Sequence, residues 1–353
     1  MQGDSWEDWA PMTLLTLLSA RLLLVATGDA LMHQPVQQCA ADSGYDFLYE
    51  KVAPLVRVAD VAFVNMEFPV APETGKNPKP FVFNAPVSAL LGLRDAGFTV
   101  FNLANNHAFD QGAAGLAETC EHLDSLGMSF IGAGRFAPES ERPLVVEHDS
   151  IRVAFLGYTS VLNINANSPD PFAPRLNIFD LDRAKADIAR IRDSVDFVVV
   201  SVHWGTEYVV KPSAQQVEWA HALCDAGADL VLGHHPHVLE PVEAYAASDD
   251  RNCLIAYSMG NFISNQERGY RASSPVEKGD PRDGVLLYVS FIKDSAGKRL
   301  EGPEVVPLWT ENHMGVIRAW PMEIYWLNEP DLMGVRWKRA WKVLGLPERA
   351  RTE

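Results

Sequence analysis

Short β-branched and apolar runs alternate along this chain with amphipathic stretches of helical period, the pattern of a layered α/β protein. The runs predict strands at residues 22–27, 61–65, 99–103, 129–132, 152–157, 197–203, 230–233, 253–259, 284–292 and 304–309. Helices are expected between them at 45–58, 87–96, 112–126, 181–193 and 213–227. The last shows the logic: Ser213 is an N-cap, Val217, Ala220, His221 and Cys224 share one face, and Gly227 is a stop. Polar loops at 71–80, 163–174 and 265–282 are long enough to wall a site. A tail helix carrying Trp326, Trp337 and Trp341 is expected to pack over a sheet edge.

Length and composition narrow this picture. With 353 residues, 47% of them hydrophobic, the chain can bury one large layered domain. The expected division is an N-terminal extension at 1–20, a main domain at 21–310 and a helical appendage at 311–353. A net charge of -16 argues against nucleic acid or an anionic membrane as partner, since either needs a basic face. Cys39, Cys120, Cys224 and Cys253 are widely spaced and form no CxxC pair, so no disulfide is expected and they read as small core residues. The apolar run from Met12 to Ala20 follows acidic residues and is cut by Arg21, which is not the pattern of a secretory signal. No stretch reaches the ~18 apolar residues of a spanning helix, so the expectation is a cytoplasmic protein.

The chemistry lies at the strand ends. His107, His203, His234, His235 and His237 all fall at, or within about five residues of, the end of an expected strand, where ligand sites form in open α/β sheets. Gly28-Asp29 ends the first strand, with His33 shortly after, and Asn65-Met66-Glu67 ends the second. In Asn105-Asn106-His107-Ala108-Phe109-Asp110, Asn106 can offer a neutral oxygen to a hard divalent ion and His107 a proton to a leaving group. Asp110 is expected to cap the following helix. In His203-Trp204-Gly205-Thr206-Glu207, the imidazole is a ligand, Trp204 a substrate wall and Glu207 a polar acceptor behind it. Gly233-His234-His235-Pro236-His237 is the strongest segment, because packing alone would place apolar residues there. His235 and His237 are expected to bind metal, leaving His234 to touch substrate.

Asp29, Glu67, Asn106, His203, His235 and His237, with His33 as a possible seventh, suit one or two divalent ions such as Mn, Zn, Fe or Mg. Two ions roughly 3.5 to 4 Å apart would activate a water, which makes hydrolysis the natural chemistry, with Asp29, His107 and His235 at its centre. The stretch Tyr257 to Gln266 offers Asn261 and Ser264 as a polar substrate rim, and Lys76, Lys79, Arg268 and Arg282 could meet carboxylates or phosphates.

Gly28-Asp29, Asn65 to Pro69, Ala104 to Gly112, His203 to Tyr208, Gly233 to Val238 and Tyr257 to Gln266 together resemble the CapA (PgsA) family. These are poly-gamma-glutamate capsule synthesis proteins, a branch of the calcineurin-like metallophosphoesterases. The resemblance implies a sandwich of two mixed β-sheets flanked by helices, metal on Asp29, Glu67, Asn106, His203, His235 and His237, and His107 near the leaving group. It departs in two places: the superfamily's Asp-x-His has Leu31 after Asp29, and its second acid is Glu67 rather than Asp. Three functions follow as expectations: a metal-dependent hydrolase or polymer-processing enzyme acting on peptide, polyglutamate or phosphoester, a metal-dependent peptide epimerase, or a non-catalytic scaffold in a capsule or export complex.

Overall fold

The computed structural model describes residues 20–349. Of the expected N-terminal extension only Ala20 falls among them, and the apolar run before it lies outside the described residues. The first half of the chain forms β1 (Ala20–Ala30), β2 (Val61–Met66), β3 (Val100–Asn102), β4 (Ser129–Ile131), β5 (Ala133–Gly134), β6 (Leu144–His148), β7 (Ile151–Thr159) and β8 (Arg175–Leu176). The second half forms β9 (Phe197–His203), β10 (Leu230–His234), β11 (Val242–Ala246), β12 (Asn252–Ala256), β13 (Asn261–Ile263), β14 (Asp283–Asp294), β15 (Gly297–His313) and β16 (Val316–Pro321). The helices are α1 (Gln34–Ser43), α2 (Ala53–Val56), α3 (Val87–Ala96), α4 (Gly112–Ser125), α5 (Ala137–Ser140), α6 (Leu181–Arg192), α7 (Ala214–Asp225), α8 (Met322–Tyr325) and α9 (Pro330–Leu344).

Two mixed sheets face each other. One runs β16-β15-β14-β1-β2-β3-β4 with β13 added alongside β1, and the other β11-β12-β10-β9-β7-β6. In the first, β1 to β4 are mutually parallel, and in the second β7, β9, β10 and β12 are. Period-two alternation sends Leu22, Leu24 and Ala26 into the layer between the sheets, against Phe155, Val199 and Leu232 of the second sheet. Val25, Ala62, Val64 and Phe101 point the other way, to the layer that includes α1, α3 and α4. Val198, Val200 and Val231 meet α6 and α7 on the far side. Because both faces of the parallel strands are covered, they read in sequence as continuous apolar runs.

Several expectations are corrected. The helix over 45–58 is a 3-10 turn at Asp46–Leu48 and the short α2, because Pro54 has no amide to donate back to the preceding turn and so sits in the first turn of a new helix. Cys224 and Cys253 form a disulfide with Cα atoms 5.9 Å apart, whereas Cys39 and Cys120 are free and buried. The bond ties α7 to β12, a proximity made by sheet pairing rather than by sequence spacing. The tail helix is present as α9, whose Trp337 and Trp341 join the inter-sheet core, whereas Trp326 lies outside α9, at the end of α8. β15 runs through residue 310, so the chain passes from main domain to tail within one strand. Among the described residues no helix is long and apolar enough to cross a membrane.

Candidate metal centre

The parallel strands deliver their carboxyl ends to one rim, and each brings a polar side chain there. β1 supplies Asp29, β2 supplies Asn65 and then Glu67, β3 leads to Asn106 and His107, β9 ends in His203, and β10 ends in His234 and leads to His235 and His237. Two glycines let the segments meet. A Cβ on Gly28 would stand 1.8 Å from Gly260 O, and one on Gly233 would stand 1.9 Å from Tyr257 O. Asp29 N is thereby free to donate to Gly260 O at 2.9 Å.

Asn65 organises the carboxylates. Its Nδ2 donates to Asp29 Oδ1 at 2.8 Å and to Glu67 Oε2 at 3.3 Å, and its Oδ1 accepts from Asn102 Nδ2. Around this pair stand His237, with Nδ1 3.0 Å from Asp29 Oδ2, and His203, with Nε2 3.6 Å from Glu67 Oε1. Asn106 Oδ1 lies 2.7 Å from His203 Nε2. Glu67, His203 and His235 each offer a ligand atom within 4.8 Å of the others, as do Asp29, Glu67 and His237. A third such group joins the exposed Glu207 to His235 and His237.

Burial sets the charge states. Asp29 and Glu67 are both fully buried. Burial opposes ionisation of Asp29, but the contacts with His234 and His237 outweigh it and hold its carboxyl well below the usual range. Burial, then the charge of Asp29, pushes Glu67 well above it. Burial and the neighbouring His235 hold His203 well below its ordinary value, and burial with His237 lowers His235 to about 4. The two imidazoles are therefore neutral near pH 7, the form that ligates metal.

The donor set fits a divalent cation. Glu67 Oε1 and His235 Nδ1 are buried without a hydrogen-bond partner, an arrangement that costs free energy unless something meets them. His235 and His237 also hold positive φ angles, 96° and 57°, which a non-glycine residue keeps only where surrounding structure enforces it.

Other expected site residues fall elsewhere. His33 stands outside the cluster, with Nδ1 accepting from Asn265 N and its ring edge-on to Phe83. His234 is fully buried, stacks on Phe63 and has Nδ1 3.5 Å from Asp29 Oδ1, so it abuts the buried side of the cluster and has no open face for substrate. Trp204 is fully buried, donates to Tyr257 O and packs behind β9, so it forms no substrate wall. Asn261 is buried as a brace, its Oδ1 3.1 Å from His237 Nδ1 and its Nδ2 donating to Pro281 O. Ser264, also buried, accepts from Asn261 Nδ2 and Gln266 N and closes a turn. Arg282 is buried over the Trp309 ring.

Asp110 does not cap α4, whose N-cap is Gln111. Its Oδ2 instead lies 2.8 Å from His107 Nδ1 and accepts from Phe83 N, while Phe83 stacks on the imidazole at 4.3 Å. Sequence reasoning also passed over Asn65 and Asn163 as site residues. Asn163 Oδ1 accepts from Asn106 Nδ2 and its Nδ2 lies 3.5 Å from His107 Nε2. For Asn65 the signal was a polar residue inside an otherwise apolar strand, whereas Asn163 lies in a loop with several asparagines and carried none.

A layered sandwich with polar side chains gathered at one strand-end rim defines the class of protein, an α/β sandwich with a candidate metal centre. This chain belongs to the bacterial capsule synthesis protein family PGA_cap, whose family model matches residues 23–266. Capsule biosynthesis protein CapA of Bacillus anthracis is 34% identical over 256 residues, covering 70% of this chain and 60% of that protein's own length. PGA biosynthesis protein CapA of Bacillus subtilis (strain 168) is 33% identical over 280 residues, covering 77% of this chain and 68% of that protein. Similar solved structures include the calcineurin-like phosphoesterase YfkN from Bacillus subtilis, at TM-score 0.45 and 12% identity over 90% of this chain and 100% of that one.

Proposed function

We propose that this protein is a metal-dependent hydrolase or polymer-processing enzyme of poly-gamma-glutamate capsule synthesis, built on a calcineurin-like metallophosphoesterase scaffold. The observation that carries the reading is Glu67 Oε1, buried without a partner at the junction of two ligand triads. Asp29, Glu67, Asn106, His203, His235 and His237 would hold one or two divalent ions, and Glu207 is within reach of His235 and His237. A cation held there supplies Lewis-acid polarisation and an acidified water.

The chain's own residues do the rest. Asn65 keeps the two carboxylates aligned, and Asn261 keeps His237 turned toward Asp29. His107, oriented through Nδ1 by Asp110, would use Nε2, which faces Asn163 Nδ2 at 3.5 Å, to hand a proton to a departing group. The relatives' names support a polymer substrate, and no feature of the site favours proton transfer at a Cα, so the epimerase expectation is not carried forward. The Cys224–Cys253 disulfide favours an oxidising compartment over the cytoplasm expected from sequence.

Elemental analysis of purified protein, beside an assay of γ-linked polyglutamate chain length, tests the reading. Bound Mn, Zn or Fe that falls in Glu67→Gln and His235→Ala, together with loss of chain shortening, is the expected result. Metal-free wild-type protein after growth and dialysis with each ion would sink it.

A further inference from the structure

Beside the metal centre lies a cavity of about 450 Å³, inside the range of small-molecule sites, roughly 300 to 1,000 Å³. It touches the centre at two points. Phe83 lines it and stacks on His107, and Tyr208 lines it with its ring 6.2 Å from that of His237. Tyr208 is held there because its amide donates to Pro236 O, between the two histidines, and its hydroxyl accepts from Gln266 Nε2 across the opening.

The opposite lip is a tight turn. Lys79 and Val82 exchange backbone hydrogen bonds, so Pro80 and Phe81 project at its tip. Phe81 is 77% exposed and Tyr208 52% exposed, an unusual outlay of aromatic surface at a cavity mouth. Phe81, Tyr208 and Glu267, all lining residues, hold positive φ angles of 60°, 64° and 50°. Together with His235 and His237 they are five of the nine non-glycine residues with positive φ among the described residues, a clustering of strained backbone on this centre and its adjoining cavity.

The lining carries one cation, Lys79, and one carboxylate, Glu267, so Lys79 is the point at which an anionic group can be met. Lys79 is exposed and makes no ion pair with a carboxylate among the described residues. No arginine lines the cavity, which disfavours a phosphate recognised through a bidentate fork. His33, with Nδ1 already taken by Asn265 N, has Nε2 left for a polar ligand, and the flat rings suit methylene and amide faces.

We propose that this cavity is the substrate-anchoring subsite of the metal centre, taking an amide-linked chain with pendant carboxylates, with Phe81 and Tyr208 as ring walls and Lys79 as the carboxylate anchor. The proposal rests on the functional reading above, and its test separates the two.

The probe is a short, fluorescently labelled γ-linked glutamate oligomer, with binding followed by anisotropy on the full-length, metal-supplemented protein. Phe81→Ala is expected to weaken binding about tenfold, as loss of an aromatic contact does. Lys79→Gln is expected to weaken it similarly and to flatten its salt dependence. Both variants keep wild-type metal content by elemental analysis, because neither side chain reaches the ligand cluster. An oligomer that fails to bind wild-type protein, or binds both variants as well as wild type, overturns the subsite even if the metal is present. Displacement of the oligomer by inorganic phosphate, and not by free γ-glutamyl dipeptide, overturns the ligand class. Absence of metal from wild type is a separate readout and counts against the underlying reading alone.

Discussion

Asp110 and Glu240 show how single residues govern the chemistry and the stability of this protein. Asp110 touches His107 and the turn that carries Phe83 but none of the candidate ligands, so it is a positioning residue. Asp110→Asn should lower kcat about tenfold to a hundredfold while metal content stays unchanged, since general acid–base help is worth roughly 10² to 10⁴ in rate. Equal loss of metal would point to a structural role instead. Glu240 is buried with one oxygen accepting from Gln216 Nε2 and the other without a partner. Burial raises its carboxyl from 4.5 to about 8, against the smaller opposing effect of Gln216. Protonation therefore favours the fold: the stability it contributes is fully present below about pH 4.5 and is lost as the pH rises through about 8. Denaturation curves of Glu240→Gln should show that slope flattened, and an unchanged slope would contradict the assignment.

At the scale of elements, two attachments deserve a measurement. The Cys224–Cys253 bond closes a loop of 29 residues between α7 and β12. Its removal as a paired Cys→Ala variant should cost roughly 3 to 4 kcal/mol of stability on the chain-entropy view. Thermal unfolding that is identical with and without reductant would argue that the thiols do not pair. α9 is held by Arg336, fully buried, whose guanidinium meets Asp280 and Asp283. Arg336→Ala strands Asp283 in the core, while Asp280 keeps its pair with Arg339, and should destabilise by about 3 to 5 kcal/mol. By contrast, Arg190→Ala, which loses only the exposed end of a pair with Asp187, should change stability by less than about 1 kcal/mol. Comparable losses in both variants would show that α9 is not anchored through this cluster.

For the whole molecule, ligand gathering and folding are one problem, because Asp29, Glu67, His203 and His237 come from strands of both sheets. A cation bound only by the native state should stabilise both layers together, by about 2.7 kcal/mol at a hundred times its Kd. Chelation should lower the Tm of wild-type protein and leave that of Asp29→Asn unmoved by added metal. A Tm indifferent to chelator in metal-containing wild type would mean that the centre contributes nothing to holding the sheets. Much of this architecture was legible from local pattern. The runs at 61–65, 197–203 and 230–233 became β2, β9 and β10 nearly residue for residue, since strands buried on both faces read as near-continuous apolar runs whose few polar residues cluster toward the carboxyl ends. The Ser213 cap is present as a full capping box with Gln216, because capping is chemistry within one turn.

What the sequence determined by itself was therefore the class of fold and the set of side chains brought to the strand ends, both consequences of short-range periodicity and of where polar residues interrupt it. Which of those side chains face one another was decided by tertiary structure alone. Nothing local distinguishes Trp204, turned into the core, from His235 and His237, turned to the rim, or pairs Cys224 with Cys253. His33 likewise follows the same strand as Asp29, yet lines the neighbouring cavity instead of joining the cluster. Contacts such as these depend on sheet register and on the close backbone approaches at Gly28 and Gly233, and distance along the chain does not encode them.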